Sequence, residues 1–265
     1  MASKKRKPQP ASSRNVVAAA RRSAKEPRSG RTRSWEWIKS LIGAVIVVLV
    51  LRAILIEAYH IPSGSMEPTL LVGDFLFVNK AIYGAHVPFT DSTNLPAFGD
   101  PRRGSVAVYQ SPNQARLPAN MQIRNDLTPI VVKRLVGTPG DTIYMRDGML
   151  YVNGIAQRLP LGVGQKPFGY VDEADPTFDW QKQYELRGSR FGPPPAVPTH
   201  DDWGPMVVPP RHYFSLGDNR YDSVDARYYG FIPRANIRGK PMFIYISIDF
   251  EDWRIRWGRI GHVIR

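Results

Sequence analysis

An apolar run near the start of the chain constrains the fold most, because it divides the sequence into parts of different character. The segment 35–56 begins with Trp35 and Trp37 and contains an uncharged stretch at 40–51. With the apolar residues that follow Arg52, it reaches the ~20 residues that a bilayer-spanning helix needs. The tryptophans suit a membrane–water interface, and Arg52 can extend its cation towards lipid headgroups. We therefore predict one transmembrane helix at 35–56.

The segment before this run is strongly basic. Residues 1–34 hold eleven of the 36 Lys and Arg residues but one of the 23 acidic residues, and they account for most of the net charge of +13. A chain of this composition cannot bury enough apolar surface to offset its ordering entropy, so we predict a disordered tail. Basic flanks mark the cytoplasmic side of a span, which places 57–265 outside the cytoplasm. The remainder is nearly balanced in charge, so we expect a lipid bilayer and not nucleic acid as a partner.

Short β-branched and aromatic runs separated by turn residues follow the apolar segment. They predict a mainly β domain over 57–265. Asp147-Gly148 lies between two such runs, and these residues tolerate the positive φ angles of a tight hairpin turn. Two stretches, near 84–103 and 154–210, lack periodicity and are predicted to be insertions. The second is too long for a simple loop and predicts an inserted subdomain or lid.

Composition excludes several kinds of site. The chain has no cysteine, which excludes disulfides, thiolate catalysis and Cys-based zinc sites. The segment 217–227 is rich in Asp and Asn, but its spacing does not match an EF-hand calcium loop. We predict no metal and no cofactor.

Ser65 and Lys133 are the candidate catalytic residues. A serine hydroxyl is a weak nucleophile unless a base takes its proton, and Ser65 lies among apolar residues shortly after the predicted span. Lys133 and Arg134 follow an apolar run, and on a strand one of the two must face apolar neighbours. A lysine deprived of water can lose about 3 to 5 pKa units and act as a base, whereas arginine stays charged.

Three segments, in order, resemble the bacterial type I signal peptidases, which are also called leader peptidases. They are Ser-Gly-Ser-Met-Glu-Pro-Thr-Leu at 63–70, Lys-Arg-Leu-Val-Gly-Thr-Pro-Gly-Asp at 133–141, and Gly-Asp-Asn-Arg-Tyr-Asp-Ser-Val-Asp-Ala-Arg at 217–227. The resemblance covers roughly residues 35–265, without the tail and the two insertions. It implies a signal-peptidase-like β domain with a Ser/Lys dyad.

Carried over residue by residue, the resemblance implies Ser65 as nucleophile and Lys133 as general base. Ser223 would orient the lysine amine, and Asp225 and Arg227 would form a supporting ion pair. The Ser65 backbone N–H and the Ser63 hydroxyl would form the oxyanion hole. The positions that match the substrate pockets for small residues are Ile61, Met66, Leu70 and Val132, with Tyr59 as a further wall. Ala226 stands where many members have serine, which affects no catalytic residue.

The activity implied is removal of signal peptides from secreted precursor proteins after small-x-small sequences, without a cofactor. The implied location is the bacterial cytoplasmic (inner) membrane, with a single span, the N-terminus in the cytoplasm and the catalytic domain on the outer face.

Other classes fit the residues less well. A Ser/His/Asp hydrolase would need one of the five histidines, and no Gly-x-Ser-x-Gly elbow precedes His212, which lies nearest a Ser/Asp cluster. A penicillin-binding or β-lactamase enzyme would need a Ser-x-x-Lys motif, which the sequence lacks. A self-cleaving repressor shares the Ser/Lys chemistry but needs a DNA-binding part where the tail and apolar run stand. A non-catalytic envelope protein would tolerate alanine at Ser65 and Lys133.

Overall fold

The computed structural model describes residues 30–84, 96–115, 117–122, 126–157 and 166–265. Most of the predicted disordered tail, and parts of both predicted insertions, therefore lie outside the described residues. The described part of the chain divides into two units, one that ends at Val50 and one that spans Leu51–Arg265.

Helix α1 spans Gly30–Leu55 and contains most of the segment predicted to be a membrane anchor. Its large apolar side chains between Trp35 and Val48 are exposed, with Trp37 at 72% and Val48 at 61%. Among the helices of the described residues, none combines the length and the hydropathy that a membrane crossing requires.

The second unit is mainly β, which confirms that part of the prediction. Its larger sheet contains eight antiparallel strands: β1 Ile56–His60, β2 Asp74–Asn79, β3 Val106–Gln110, β4 Ile130–Gly137, β9 His212–Leu216, β10 Ile232–Pro233, β11 Ile237–Asp249 and β12 Arg254–Ile255. Their order is β1-β2-β11-β3-β4-β9-β10, and β12 pairs with β11. The long strand β11 therefore joins β2, which follows the Ser65 segment, to β3, which pairs with the strand that carries Lys133.

A smaller antiparallel sheet contains β5 Thr142–Arg146, β6 Met149–Val152, β7 Ile155–Ala156 and β8 Trp203–Val207. The order of its strands is β7-β6-β5-β8. Strands β5 and β6 form the predicted hairpin, and Asp147 and Gly148 have positive φ angles of 45° and 73°. Strand β8 lies inside the predicted insertion 154–210 but pairs with β5. That end of the insertion is thus part of the β scaffold.

Both faces of the larger sheet are buried at strand β3. Its first four residues are at most 2% exposed. Successive side chains of a strand point to opposite faces. Val106 and Val108 accordingly pack in one apolar cluster with Met66, while Ala107 and Tyr109 pack in a larger cluster that reaches the smaller sheet.

The segment between β7 and β8 contains a 3-10 helix at Pro176–Tyr184. Asp175 starts it by accepting a hydrogen bond from the Thr177 N–H at 2.8 Å, and proline at the first position needs no partner for its nitrogen. Phe178 is buried and packs against Tyr228 with ring centroids 4.9 Å apart. This contact joins the segment to the short helix α2, Ala226–Tyr229.

Candidate active site

Ser65 lies in a 3-10 turn, Gly64–Met66, between the ends of β1 and β2. Met66 is 1% exposed and packs in the smaller apolar cluster, so it fixes the turn to the sheet. Asn219 holds the turn from the other side, because its backbone N–H donates to the Ser65 carbonyl at 3.1 Å and its side-chain amide donates to the Gly64 carbonyl at 3.3 Å. The Ser65 and Ser63 hydroxyl oxygens lie 3.4 Å apart.

Lys133 lies on strand β4, directly opposite Ala107 of strand β3, and is 3% exposed. Burial lowers the pKa of its amine from 10.5 to about 8. The Asp225 carboxylate opposes this change and the Arg227 guanidinium reinforces it, so removal of water decides the direction.

Arg134, the next residue of the strand, is equally buried at 2% exposure. It forms a bidentate ion pair with Asp218, with Nε–Oδ1 at 2.7 Å and Nη2–Oδ2 at 2.6 Å. The sequence predicted that one of the two neighbouring cations would face apolar surroundings, and in fact both are buried. They differ in that a carboxylate neutralises Arg134 directly, while Lys133 has mainly the more distant charge of Asp225.

The third motif forms a hydrogen-bonded chain around Asp225. The Ser223 hydroxyl donates to Asp225 Oδ2 at 2.9 Å, and the Arg227 side chain donates to both carboxylate oxygens at 2.9 and 2.8 Å. The Gly217 N–H donates to Oδ2 at 3.0 Å. Burial alone would raise the pKa of Asp225, but Arg227 more than offsets it and holds the pKa at about 2. Asp225 is therefore a carboxylate at every pH of interest.

Gly217 has no side chain, and this allows the Ser65 turn and Ser223 to approach it closely. A Cβ atom at this position would lie 2.2 Å from the Ser223 Oγ and 2.5 Å from the Ser65 carbonyl oxygen. Any larger residue would have to push the two serines apart. The close approach of strand β9's end to the Ser65 turn thus depends on glycine.

Most of the predicted site residues line one cavity of about 550 Å³. Those that line it are Tyr59, Ile61, Ser63, Ser65, Met66, Val132, Lys133 and Ser223. Asp225 and Arg227 lie behind Ser223 and do not line the cavity. Leu70 is fully buried in the cluster with Ile61 and Met66 and lies beneath the cavity wall.

The cavity also has walls that the sequence did not single out. Asp126, Ile130 and Asp222 line it, as does His60, whose ring packs against Phe75 with centroids 5.0 Å apart. Asp222 belongs to the third motif, so its presence could have been expected. Asp126 and Ile130 come from the start of strand β4 and the residues before it, where no motif marks them.

The oxygen-rich segment 217–227 is occupied by ion pairs. Asp218 binds Arg134 and Asp225 binds Arg227, so two of the four Asp and Asn side chains of this segment already neutralise buried cations. Over the described parts of the chain, no group of three acidic or histidine side chains is arranged to hold a metal ion.

Comparison with known proteins identifies the family. The family model described as "Signal peptidase, peptidase S26" matches residues 34–246. Signal peptidase I of Pseudomonas aeruginosa is 37% identical, over 80% of this chain and 72% of that protein. Signal peptidase I of Haemophilus influenzae is 30% identical, over 86% of this chain and 78% of that protein. The solved structure of a signal peptidase I from Enterococcus faecalis is 28% identical and covers 53% of this chain and 96% of that one, with a TM-score of 0.31.

The family model covers most of the chain and includes all three motifs, which confirms the resemblance found in the sequence. The curated relatives match over more than two thirds of their own length. The chain therefore belongs to the signal peptidase family, peptidase S26, and is a serine endopeptidase.

Proposed function

We propose that this chain removes signal peptides from secreted precursors after small-x-small sequences, with Ser65 as nucleophile and Lys133 as general base. One observation carries the proposal: a serine and a lysine that is only 3% exposed line the same cavity. The base must be a neutral amine. With a pKa of about 8, about a tenth of the lysine is neutral at pH 7.

The proposed reaction proceeds through an acyl-enzyme. The Lys133 amine takes the proton of the Ser65 hydroxyl as the oxygen attacks the scissile carbonyl carbon. The resulting ammonium gives that proton to the leaving amine, and an ester to Ser65 remains. The neutral lysine then takes a proton from water, which attacks the ester carbonyl carbon, and the resulting ammonium returns that proton to the Ser65 oxygen as the second product leaves.

Ser223 is proposed to orient the lysine. Its hydroxyl proton is directed to Asp225, at 2.9 Å between the oxygens. The lone pairs of the same oxygen are therefore free to accept a hydrogen bond from an amine. Since Arg227 keeps Asp225 ionised, this direction of donation holds throughout the working pH range.

Ser63 and the Ser65 backbone N–H are proposed to stabilise the oxyanion. The 3.4 Å between the two hydroxyl oxygens supports this assignment, because the donor then lies beside the attacking atom. Loss of one oxyanion donor costs about 2.7 to 4 kcal/mol in comparable enzymes. Ser63→Ala should therefore lower kcat by about 10²- to 10³-fold with little change in KM.

The preference for small residues is proposed to come from the apolar walls Ile61, Met66 and Val132, with Tyr59 beside them. Ile61 and Met66 are 4% and 1% exposed and belong to the packed apolar cluster, so these walls cannot easily move aside for a large side chain. Leu70 is proposed to act from beneath, as support for Met66.

The segment 35–56 is proposed, on the pattern of its sequence, to anchor the enzyme in the cytoplasmic membrane, with residues 57–265 on the outer face. The exposed apolar side chains at 35–48 and the basic residues that precede them support this topology. The protein should stay in the membrane fraction after alkaline carbonate extraction, and added protease should reach residues 57–265 only from the outer face. Release into the soluble fraction would contradict the anchor.

The proposal is tested with purified full-length protein in detergent, a secretory precursor as substrate, and N-terminal sequencing of the product. Ser65→Ala, Lys133→Ala and Lys133→Arg should each abolish cleavage, the last because guanidinium keeps its proton. His60→Phe should keep most of the activity, because its ring packs on Phe75 in either case. Full activity of Ser65→Ala would contradict the Ser/Lys mechanism. So would a result in which His60→Phe loses activity while Lys133→Ala keeps it.

A further inference from the structure

The segment 166–202, which lies between strands β7 and β8, takes no part in the steps above. It nevertheless contacts Arg227, the partner of Asp225, in two separate places. A segment that contacts Arg227 in two places can fix the position of the buried Asp225–Arg227 ion pair.

The first contact is with the backbone of Arg227. Trp180 Nε1–H and Gln181 Nε2–H both donate to its carbonyl oxygen, at 2.8 and 3.1 Å. Gln181 is fully buried, and the Trp180 ring packs edge-on against Phe231 with centroids 5.6 Å apart. Two donors from consecutive residues of one 3-10 helix thus fix helix α2 at its second residue.

The second contact is with the guanidinium of Arg227. The buried His200 ring has its Nδ1 2.7 Å from the Asp201 carboxylate, which can only accept, so Nδ1 carries the proton. Nε2 is then left with a lone pair, and Arg227 Nη1 donates to it. Nε2 also lies 2.9 Å from the Arg220 carbonyl oxygen, which accepts from Arg227 Nη2 at 2.7 Å.

The neutral state of His200 is consistent with this contact. Burial lowers the pKa of His200, and the positive charge of Arg227 lowers it further, although Asp201, the Arg220 carbonyl and the charge of Asp225 oppose both. Asp201 is itself held by Lys166 and by the Tyr221 hydroxyl, both at 3.1 Å. The Tyr221 ring is stacked on the His200 ring with centroids 5.0 Å apart.

We propose that His200 is a positioning residue of this enzyme: with Trp180 and Gln181, it holds Arg227 against Asp225 and so keeps Ser223 in place for Lys133. The segment 166–202 thus helps to fix the position of Lys133 indirectly, through Arg227, Asp225 and Ser223. This inference rests on the proposed function, in which Ser223 orients that lysine.

The consequence for catalysis follows from the charges that act on Lys133, which come from Asp225, Arg227, Asp222 and Asp218. Of these, Arg227 favours the neutral amine and the three carboxylates favour the ammonium. If Arg227 loses the His200 contact and moves away from Asp225, the carboxylate is less compensated. The pKa of the lysine then rises, and a smaller fraction of it is neutral at a given pH.

The test uses the full-length protein in detergent with a secretory precursor. His200→Leu should lower kcat by about tenfold or more with KM unchanged, since small misplacements of catalytic groups are costly. Its pH–rate profile should shift to higher pH. His200→Gln offers a side-chain oxygen to Arg227 and should restore most of the rate. If His200→Leu does not fold, the double variant Trp180→Phe/Gln181→Leu tests the other contact in the same way.

Trp203→Phe is the matched control for a general loss of packing. Trp203 is fully buried, and its Nε1 has no hydrogen-bond partner among the described residues. It should keep the wild-type kcat and pH profile. The inference is refuted if His200→Leu keeps the wild-type kcat and pH–rate profile. It is also refuted if His200→Leu lowers kcat only as much as Trp203→Phe does and its pH–rate profile does not shift. Ser65→Ala, assayed beside them, separates the two levels: activity in that variant would refute the proposed function instead.

Discussion

Replacement of Lys133 by methionine should stabilise the folded protein near neutral pH, and this gain should shrink in alkali. The pKa of the lysine is about 8 in the folded chain and 10.5 without burial. Keeping the ammonium inside the fold therefore costs about 3 kcal/mol below pH 8. Methionine has a similar length and no charge, so it avoids this cost.

The sign follows from proton binding. Between pH 8 and pH 10.5 the unfolded wild-type chain binds a proton that the folded chain has released, so wild-type stability rises with pH across this window. The methionine variant lacks this contribution. All other titrating groups occur in both proteins, and their effects cancel in the difference.

Urea unfolding of both full-length proteins, in the same detergent at pH 7 and pH 10.5, measures this difference. The stability advantage of Lys133→Met should be about 3 kcal/mol larger at pH 7 than at pH 10.5. A Lys133→Met advantage that does not change with pH would show that the lysine is not deprived of water.

Three further predictions concern rate and stability. The value of kcat/KM for a precursor should rise about tenfold per pH unit below an apparent pKa near 8 and then level off, because neutral Lys133 is the active form; a flat profile from pH 6 to 9 would contradict this. Gly217→Ala should lower kcat by about a hundredfold or more, since its Cβ would lie 2.2 Å from the Ser223 hydroxyl, whereas Gly258→Ala, which has open space around it, should match wild type in the same assay. Asp218→Asn should lower the free energy of unfolding by about 3 to 5 kcal/mol in urea titrations, because it leaves a buried guanidinium without its carboxylate, and an unchanged midpoint would contradict the buried pair.

The sequence predicted the elements whose causes are local. The β5–β6 hairpin follows from Asp147 and Gly148, which adopt the positive φ angles that the turn needs. Ser65 and Lys133 lie in short motifs, and both line one cavity. Their catalytic roles remain predictions until the variants are assayed.

The contacts that depend on distant segments were not predictable in this way. Asp218 lies 84 residues from Arg134, and no local pattern assigns it to that guanidinium. The same holds for His200, which lies 27 residues from Arg227 in a stretch with no periodicity. From the sequence, this stretch was predicted to be part of an insertion. The pairing of strand β8, at its C-terminal end, with β5 depends on the folded chain and leaves no local pattern.

The burial of strand β3 on both faces limits which substitutions this sequence can accept. Each of residues 106–108 is almost fully covered, on alternate sides of the sheet, so none of these three positions tolerates a polar replacement. In a saturation mutagenesis library selected for secretion, these three positions should form an unbroken block that accepts only apolar residues of similar volume. Two-residue periodicity of tolerance, the usual signature of a strand, should be absent there.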